Sequence, residues 1–414
     1  MTLLLLIVFA GSCFFLIAWG MRKPGRICEF PFLAGATFAG FVLPQAVGLT
    51  CGEAPAPAGT DQALVMSILC AVMCYLGYVV SDTPMSALRW EFDNDRLLVV
   101  SAVFSAIGAF FFTLINRLPD ELVTGGAWTG LPVAYLFFAN VFKYGFAIAV
   151  LLYANKRSKF ALAIILFDCL FQFEWIVVRG RRSYAIEFVL VILCTFWFVR
   201  RQTLPRWGML VVLAAGTVGV SAAGPYRAAV YQDKDYGVNL NYEVPWEEIL
   251  KVDFIDVFQT YNREDAWEFR NLAYTMHTTD TFDGGLSYWN DFVHVYVPRQ
   301  VLGSEFKQSL QFDLPGEVTD PDAPWGSTAT GMADSFQAFS WLGCLVFFVI
   351  AFLMRKLFAT AQSGHLAAQL LYMVIIYSAM LAITHDTKFF FMPWVHMAVF
   401  LLPCLLWARK PMGA

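Results

Sequence analysis

Eleven long apolar runs constrain this chain more than any other feature of its sequence. Each run is about 20 residues long, the length that an α-helix needs to cross the hydrocarbon core of a bilayer. The chain is 58% hydrophobic and 14% charged, whereas soluble domains are about 25% charged. The sequence therefore predicts an all-α polytopic membrane protein. We expect about 11 transmembrane helices, at residues 3–20, 30–50, 63–80, 97–116, 133–155, 160–178, 184–200, 207–223, 331–354, 366–384 and 389–407.

Basic residues accumulate in alternate connections between these runs. Cytoplasmic loops of membrane proteins are enriched in Lys and Arg, so this alternation predicts the orientation of the chain. It places the amino terminus and the long segment 224–330 outside the cytoplasm. The first run lacks a charged region before it and a small-residue cleavage site after it, so we interpret it as a retained span. The basic connections include MRKPGR (21–26), NKRSK (155–159), RRQTLPR (200–206) and MRKLF (354–358).

The segment 224–330 is the one long extramembrane region that hydropathy predicts. From Pro225 to Asp322 it contains 18 acidic and 7 basic residues, so it is strongly acidic. Its apolar residues recur at helical spacing, which predicts short amphipathic helices that lie on the membrane surface. The predicted helices cover residues 245–261, 265–276 and 286–297. The predicted domain organisation is helices 1–8 in residues 1–223, an extracytoplasmic loop domain in 224–330, and helices 9–11 in residues 331–414.

Three arginines stand within four residues at a connection that the orientation places on the outer face. They are Arg179, Arg181 and Arg182 in the stretch VVRGRRSYAIEF. One arginine there would be explained by a side chain that reaches to lipid headgroups. Three favour an anion site, because a guanidinium group binds phosphate oxygens with two parallel hydrogen bonds. Tyr184 and Glu187 follow on nearly one face of the next helix and are added to the predicted site.

Charged residues inside the predicted spans form a second signal. A charge in a membrane span is costly, and it is usually paired or functional. Lys143 lies in the middle of the fifth span and Asp168 in the middle of the sixth, so we predict a structural ion pair between them. A proton or ion path is the alternative. Glu174 and Glu187 flank the arginines and are predicted to orient them.

The chain resembles the bacterial O-antigen and exopolysaccharide polymerases of the Wzy type. Like them, it combines many spans with one large outer loop late in the chain and an arginine cluster. The stretch GGLSYWNDFVHVYVPRQVLGSEFKQSL (284–310) is similar to the family's helix followed by Pro-Arg and a downstream Lys, here Pro298, Arg299 and Lys307. The stretch SFQAFSWLGCLVFFVIAF (335–352) is similar to the family's entry into the next span.

The resemblance implies a GT-C-like architecture and a glycosyltransferase. Such an enzyme joins undecaprenyl-pyrophosphate-linked oligosaccharide repeats on the outer face of the bacterial cytoplasmic (inner) membrane. Negative charge develops on the departing pyrophosphate, and preorganised cations lower that barrier. We see no metal-ligand pattern outside one Pro-rich loop, so we expect arginines to replace a metal and no cofactor to be needed. The residues assigned to pyrophosphate are Arg179, Arg181 and Arg299, with Arg182, Arg227 and Lys307 as further candidates.

A general base must remove the proton of the acceptor hydroxyl. His385 and Asp386 lie in a short outer turn, where the carboxylate would raise the basicity of the imidazole. His294, five residues before Arg299, is the second candidate. Glu305 and Asp334 also lie on the outer side, and the choice among these residues stays open.

Three other functions remain open at this point. An O-antigen ligase shares the architecture and differs in its acceptor. A lipid-linked oligosaccharide flippase or an anion-coupled transporter would also line a cavity with arginines, although transporters often contain internal repeats that we do not see here. A non-catalytic partner of a polysaccharide export machine is the last alternative. As a polymerase, the protein is expected to interact with undecaprenyl-pyrophosphate-linked glycans, the lipid bilayer, a chain-length regulator and a flippase, but not with nucleic acid.

Overall fold

The computed structural model describes most of the chain, with several gaps. The described residues are 1–52, 55–80, 83–118, 130–178, 181–217, 251, 253–297, 299–314, 322–323 and 327–410. Within these ranges the protein is helical and contains no β-strand, apart from an isolated bridge between Phe92 and Arg409. The prediction of an all-α fold is confirmed for these residues.

Ten helical segments in the described ranges are long and apolar enough to cross a membrane. They confirm a multi-pass membrane protein, as the apolar runs predicted. The eighth predicted span begins as a shorter helix, α8, and its residues 218–223 lie outside the described ranges. The first seven spans and this helix are α1 (Thr2–Met21), α2 (Phe30–Cys51), α3 (Thr60–Val79), α4 (Asn94–Ile115), α5 (Leu131–Lys156), α6 (Lys159–Val177), α7 (Arg182–Arg200) and α8 (Arg206–Thr217).

The long loop contributes short helices, as predicted. The helices predicted at 265–276 and 286–297 are confirmed with small changes of boundary. The helix predicted at 245–261 begins only at Phe254, because Lys251 lies in a turn and Asp253 precedes the helix, and a π-helical turn extends it to Asp265. Residues 245–250 of the prediction lie outside the described ranges. The loop helices are α9 (Phe254–Thr260), α10 (Trp267–Thr278), α11 (Leu286–Tyr296), α12 (Arg299–Leu302) and α13 (Ser304–Ser309).

The span predicted at 331–354 contains a break that the sequence analysis did not anticipate. The apolar segment Gly331–Gln362 is interrupted at Ser340, whose φ of +56° lies in the left-handed region. A Cβ atom on Gly343 would lie 2.1 Å from the carbonyl oxygen of Ser335, so this turn requires glycine. The last helices are therefore α14 (Gly331–Phe339), α15 (Cys344–Gln362), α16 (Leu366–Thr384) and α17 (Lys388–Ala408).

The chain forms two compact units, each assembled from stretches that are distant in sequence. We describe each unit by itself. The first unit comprises Met1–Asp82, Gln259–Arg355 and Ser378–Trp394, and the second comprises Thr83–Phe258, Lys356–Tyr377 and Val395–Ala414.

Close packing in the first unit fixes the loop helices against the membrane spans. The side-chain oxygen of Gln45 in α2 accepts a hydrogen bond from the backbone N–H of Phe269 in α10 (3.0 Å). A Cβ atom on Gly48 would lie 1.8 Å from the carbonyl oxygen of Asn262, so only glycine permits this approach. Small residues commonly allow such close backbone contact in membrane proteins. The helix α10 and the π turn that contains Asn262 are thus an integral part of the first unit.

Aromatic packing organises the part of the second unit where α6 ends and α7 begins. Phe112 of α4 contacts Trp175 of α6, with ring centroids 4.8 Å apart. Trp175 in turn packs against Tyr184 of α7 at 5.0 Å. These rings belong to a buried cluster that also includes Ile115 and Phe142. The cluster fixes the end of α6 and the start of α7, where the arginine-rich stretch lies.

Two spans contain a π-helical turn followed closely by proline. In α2 the π turn covers Phe38–Val42 and Pro44 follows. In α17 it covers Met397–Leu401 and Pro403 follows. Proline has no N–H and its ring collides with the carbonyl one turn earlier in a regular α-helix. The wider π turn accommodates that mismatch without ending the helix.

Candidate substrate-binding and catalytic residues

The arginine-rich stretch lies at the amino-terminal end of α7. Arg181 precedes the helix and is exposed, and Arg182 is its first residue and half-buried. The backbone N–H of Arg181 donates to the carbonyl of Trp175 (3.1 Å), which anchors the turn to the aromatic cluster. Tyr184 packs on the same tryptophan. Arg179, the third arginine of the prediction, lies outside the described residues.

Glu187 forms an ion pair with Lys143, one turn further into α7. Their charged atoms are 3.9 Å apart, and the two side chains are 18% and 24% exposed. Tyr377 of α16 also lies in this group, because it hydrogen-bonds Ser183 and is close to the charges of Glu187 and Arg182. The second unit thus brings together three of the predicted binding residues, Arg182, Tyr184 and Glu187, around a lysine and a tyrosine.

The predicted ion pair between Lys143 and Asp168 is wrong. Asp168 is fully buried and accepts a hydrogen bond from the hydroxyl of Ser105 in α4 (2.8 Å). Lys143 instead pairs with Glu187 of α7. Both residues do lie within spans, as predicted, but depth in the membrane does not determine which neighbouring helix a side chain meets. Glu174 accepts from Asn116 (2.8 Å), and its role in orienting the arginines stays a prediction.

The first unit contains a second basic group, in the segment 284–310. The ammonium group of Lys307 in α13 donates to the carbonyl of His294 in α11 (2.6 Å). Partial burial and the nearby charge of Arg299 lower the pKa of Lys307. Arg299 and His294 are both exposed. The structure therefore gathers three predicted residues here, while Pro298 and Arg227 lie outside the described residues.

The turn with His385 and Asp386 also belongs to the first unit. Nδ1 of His385 lies 2.8 Å from the hydroxyl of Thr384. Asp386 forms an ion pair with Lys388 at 3.3 Å, and Lys388 forms a shorter one with Asp291 of α11 at 3.0 Å. An ammonium group thus engages the carboxylate that was predicted to activate the imidazole. The predicted partnership between His385 and Asp386 stays a prediction.

Sequence reasoning missed a hydrogen-bonded chain next to this turn. Both the backbone N–H of Thr387 (2.9 Å) and its hydroxyl donate to Oδ2 of Asp334 in α14. The hydroxyl of Thr387 also bonds the hydroxyl of Tyr288 in α11 (2.6 Å). Asp334 was one open candidate for the base because the predicted orientation places it on the outer side. Nothing in the sequence indicated that Thr387 would bond Asp334 or that Tyr288 would bond Thr387.

A cavity of about 780 Å³ opens beside this chain in the first unit. Ligand sites in proteins commonly have volumes of about 300–1,000 Å³, apolar walls and a few polar groups. This cavity has that character, because its wall is mostly aromatic and aliphatic, with Lys388 as its charged residue. The lining residues are Phe282, Gly284, Tyr288, Phe292, Ala338, Phe339, Ser340, Leu342, Leu345, Val346, Val349, Lys388, Phe391 and Met392.

The predicted residues fall into two groups, one in each unit. Arg181, Arg182, Tyr184 and Glu187 belong to the second unit. The first unit holds His294, Arg299, Lys307, His385 and Asp386. Among the described residues, no cluster of three or more His, Cys, Asp or Glu side chains has the geometry to hold a metal ion.

No protein-family model, curated protein or solved structure matches this chain. The residues and contacts described above are therefore the basis on which its function is proposed.

Proposed function

We propose that this protein is a glycosyltransferase that polymerises undecaprenyl-pyrophosphate-linked oligosaccharides on the outer face of the bacterial cytoplasmic membrane. The observation that carries this proposal is the cationic group at the start of α7. Arg181 and Arg182 lie at the positive end of the helix dipole, where backbone N–H groups also favour anions. Lys143 adds a third cation nearby through its pair with Glu187.

The chemistry of the reaction explains why cations are needed. The acceptor hydroxyl attacks the anomeric carbon of the donor, and the bond to the lipid pyrophosphate breaks with its electron pair on the phosphate oxygen. Arginine side chains that already point at this oxygen stabilise the charge without reorganisation. Tyr184 and Trp175 hold the turn in place by ring packing. Glu187 offsets part of the positive charge and so reduces the repulsion among the cations.

The second basic group fits the same reaction. Both the donor and the acceptor carry a lipid pyrophosphate, so two anions must be bound in one cycle. Arg299 and Lys307 lie within electrostatic range of each other in the first unit, and Arg299 is exposed. Each unit, taken by itself, contains one group of cations, and a polymerase must bind two lipid pyrophosphates.

A reconstitution assay tests the proposal. The protein in nanodiscs is incubated with an undecaprenyl-pyrophosphate-linked oligosaccharide from membranes of its native host, with and without EDTA, and products are separated by size. We expect a ladder that survives EDTA. Loss of one preorganised charged donor commonly costs about 10²–10³-fold in rate, so Arg181→Ala and Arg299→Ala should each reduce the ladder by that factor.

Two matched variants control this assay. Arg181→Lys keeps the charge but not the paired hydrogen bonds, and should retain an intermediate rate. Arg89→Ala makes the same substitution at an exposed arginine on the predicted cytoplasmic side, and should leave the ladder unchanged. Full activity of both Arg181→Ala and Arg299→Ala would contradict the assigned role of the cations. Transfer only to a lipid A-core acceptor would replace the polymerase by a ligase, and lipid movement without glycosyl transfer would replace it by a flippase.

A further inference from the structure

The cavity of the first unit has an apolar wall that combines aromatic rings with aliphatic side chains of α15. Its wall includes the rings of Phe282, Tyr288, Phe339 and Phe391. The apolar faces of sugar rings pack well on aromatic side chains, which bury a large area with defined geometry. Lys388 at the wall is paired with two carboxylates, so the local charge is negative and does not suit a pyrophosphate. A neutral ligand that presents an apolar ring face to the wall and a hydroxyl group to Tyr288 is compatible with this environment.

The hydrogen-bonded chain beside the cavity has a defined direction. The hydroxyl of Thr387 has one proton, which it donates to Asp334. Thr387 must therefore accept the proton of the Tyr288 hydroxyl, the next atom of the chain. This leaves a lone pair on the oxygen of Tyr288, the member of the chain that lines the cavity. A proton that enters at Tyr288 can consequently be passed to Asp334.

Tyr288 is suited to transmit a proton rather than to hold a charge. Its burial and the negative charge of Asp334 raise the pKa of its phenol well above the usual range. The phenol therefore stays protonated near neutral pH, and it can donate one hydrogen bond while it accepts another. A sugar hydroxyl at the cavity wall would supply the bond that Tyr288 accepts.

We propose that this cavity binds the acceptor sugar, and that Tyr288, Thr387 and Asp334 form a relay that removes the proton from its attacking hydroxyl. This inference rests on the proposed polymerase function and deepens it. The acceptor O–H bond breaks and its proton moves to Tyr288, while the proton of Tyr288 moves to Thr387 and that of Thr387 to Asp334. The acceptor oxygen forms the bond to the anomeric carbon, and the pyrophosphate leaves with the electron pair. Tyr288 is the catalytic residue, and Thr387 and Asp334 act through it.

Two substitutions that remove single hydroxyl groups test the relay in the full-length protein in nanodiscs, with the lipid-linked oligosaccharide used above. Tyr288→Phe keeps the ring, and Thr387→Val keeps both the shape and the backbone N–H that bonds Asp334. General base catalysis contributes about 10²–10⁴-fold, so each variant should lose turnover at saturating lipid by that factor. The lipid concentration that gives half-maximal rate should not change, because the cavity wall is intact. The double variant should be no slower than either single one, since a relay is broken only once.

Tyr296→Phe is the matched control. Tyr296 lies on the same helix, and its hydroxyl donates to the backbone of Met392 instead of joining the relay. If the substitutions acted only by disturbing the structure, Tyr296→Phe should slow turnover as much as Tyr288→Phe does. In that case the rate losses of Tyr288→Phe and Thr387→Val should also multiply in the double variant. Full turnover of Tyr288→Phe or Thr387→Val, in an assay where Arg181→Ala shows its expected loss of rate, would overturn the relay and leave the polymerase proposal standing. A wild-type protein that forms no ladder would overturn both.

Discussion

Replacing Lys143 with an uncharged residue should show how much its ion pair with Glu187 contributes to the free energy of unfolding. Two unit charges about 4 Å apart attract by about 4 kcal/mol at an effective dielectric constant of about 20, and the pair here is separated by 3.9 Å. Loss of hydration offsets part of this attraction, because both side chains are mostly buried. We therefore expect Lys143→Met and Glu187→Gln each to lower the free energy of unfolding by about 2–3 kcal/mol, and the double variant to show a coupling energy of about 1–3 kcal/mol.

Reversible unfolding by SDS in mixed micelles measures these free energies. Asp168→Asn supplies the control cycle, because Asp168 bonds Ser105 and shares no partner with Lys143. Its coupling to Lys143→Met should stay below about 0.5 kcal/mol. The assignment of this pair would be refuted if the losses in unfolding free energy from Lys143→Met and Glu187→Gln were additive. It would also be refuted if Lys143→Met coupled more strongly to Asp168→Asn than to Glu187→Gln.

Two further predictions concern packing and orientation. Gly48→Ala should destabilise the protein by about 2–3 kcal/mol in the same SDS titration, because the new Cβ would collide with the backbone of Asn262. Gly11→Ala is the control, because no atom lies within 4 Å of a Cβ at that position. It should change the free energy of unfolding by less than about 0.5 kcal/mol. Cys51 is exposed at the end of α2, on the predicted outer side, so a membrane-impermeant maleimide should label it in intact cells. The Cys51→Ser variant should not be labelled, and labelling of Cys51 only after lysis would reverse the predicted orientation.

The spans were predictable because hydropathy and length are properties of a contiguous stretch. The run predicted at 366–384 is the helix Leu366–Thr384, and the loop helix predicted at 286–297 is Leu286–Tyr296. The break at Ser340 was not predicted, since apolar residues continue on both sides of it. Its one local sign is Gly343, which the close approach to Ser335 requires.

The partners of the charged and polar residues could not be predicted in the same way. The number of residues along a helix fixes depth in the membrane, but the choice of neighbour depends on how helices are rotated against each other. Lys143 consequently meets Glu187 and not Asp168. The relay joins Thr387 to residues 53 and 99 positions away, Asp334 and Tyr288, and only tertiary packing brings these together.

The pairing of π turns with Pro44 and Pro403 has a mechanical consequence. Helices bend sharply where proline or a π turn interrupts the regular hydrogen bonds. Each of these spans is therefore expected to bend at its π turn, and α17 contains a further interruption at Pro393. When the bilayer thickness changes, the hydrophobic length of a span no longer matches it, which costs fractions of a kcal/mol per Å. A bend at that turn can reduce this mismatch. The remaining length of the helix keeps its orientation, and so do the residues it carries.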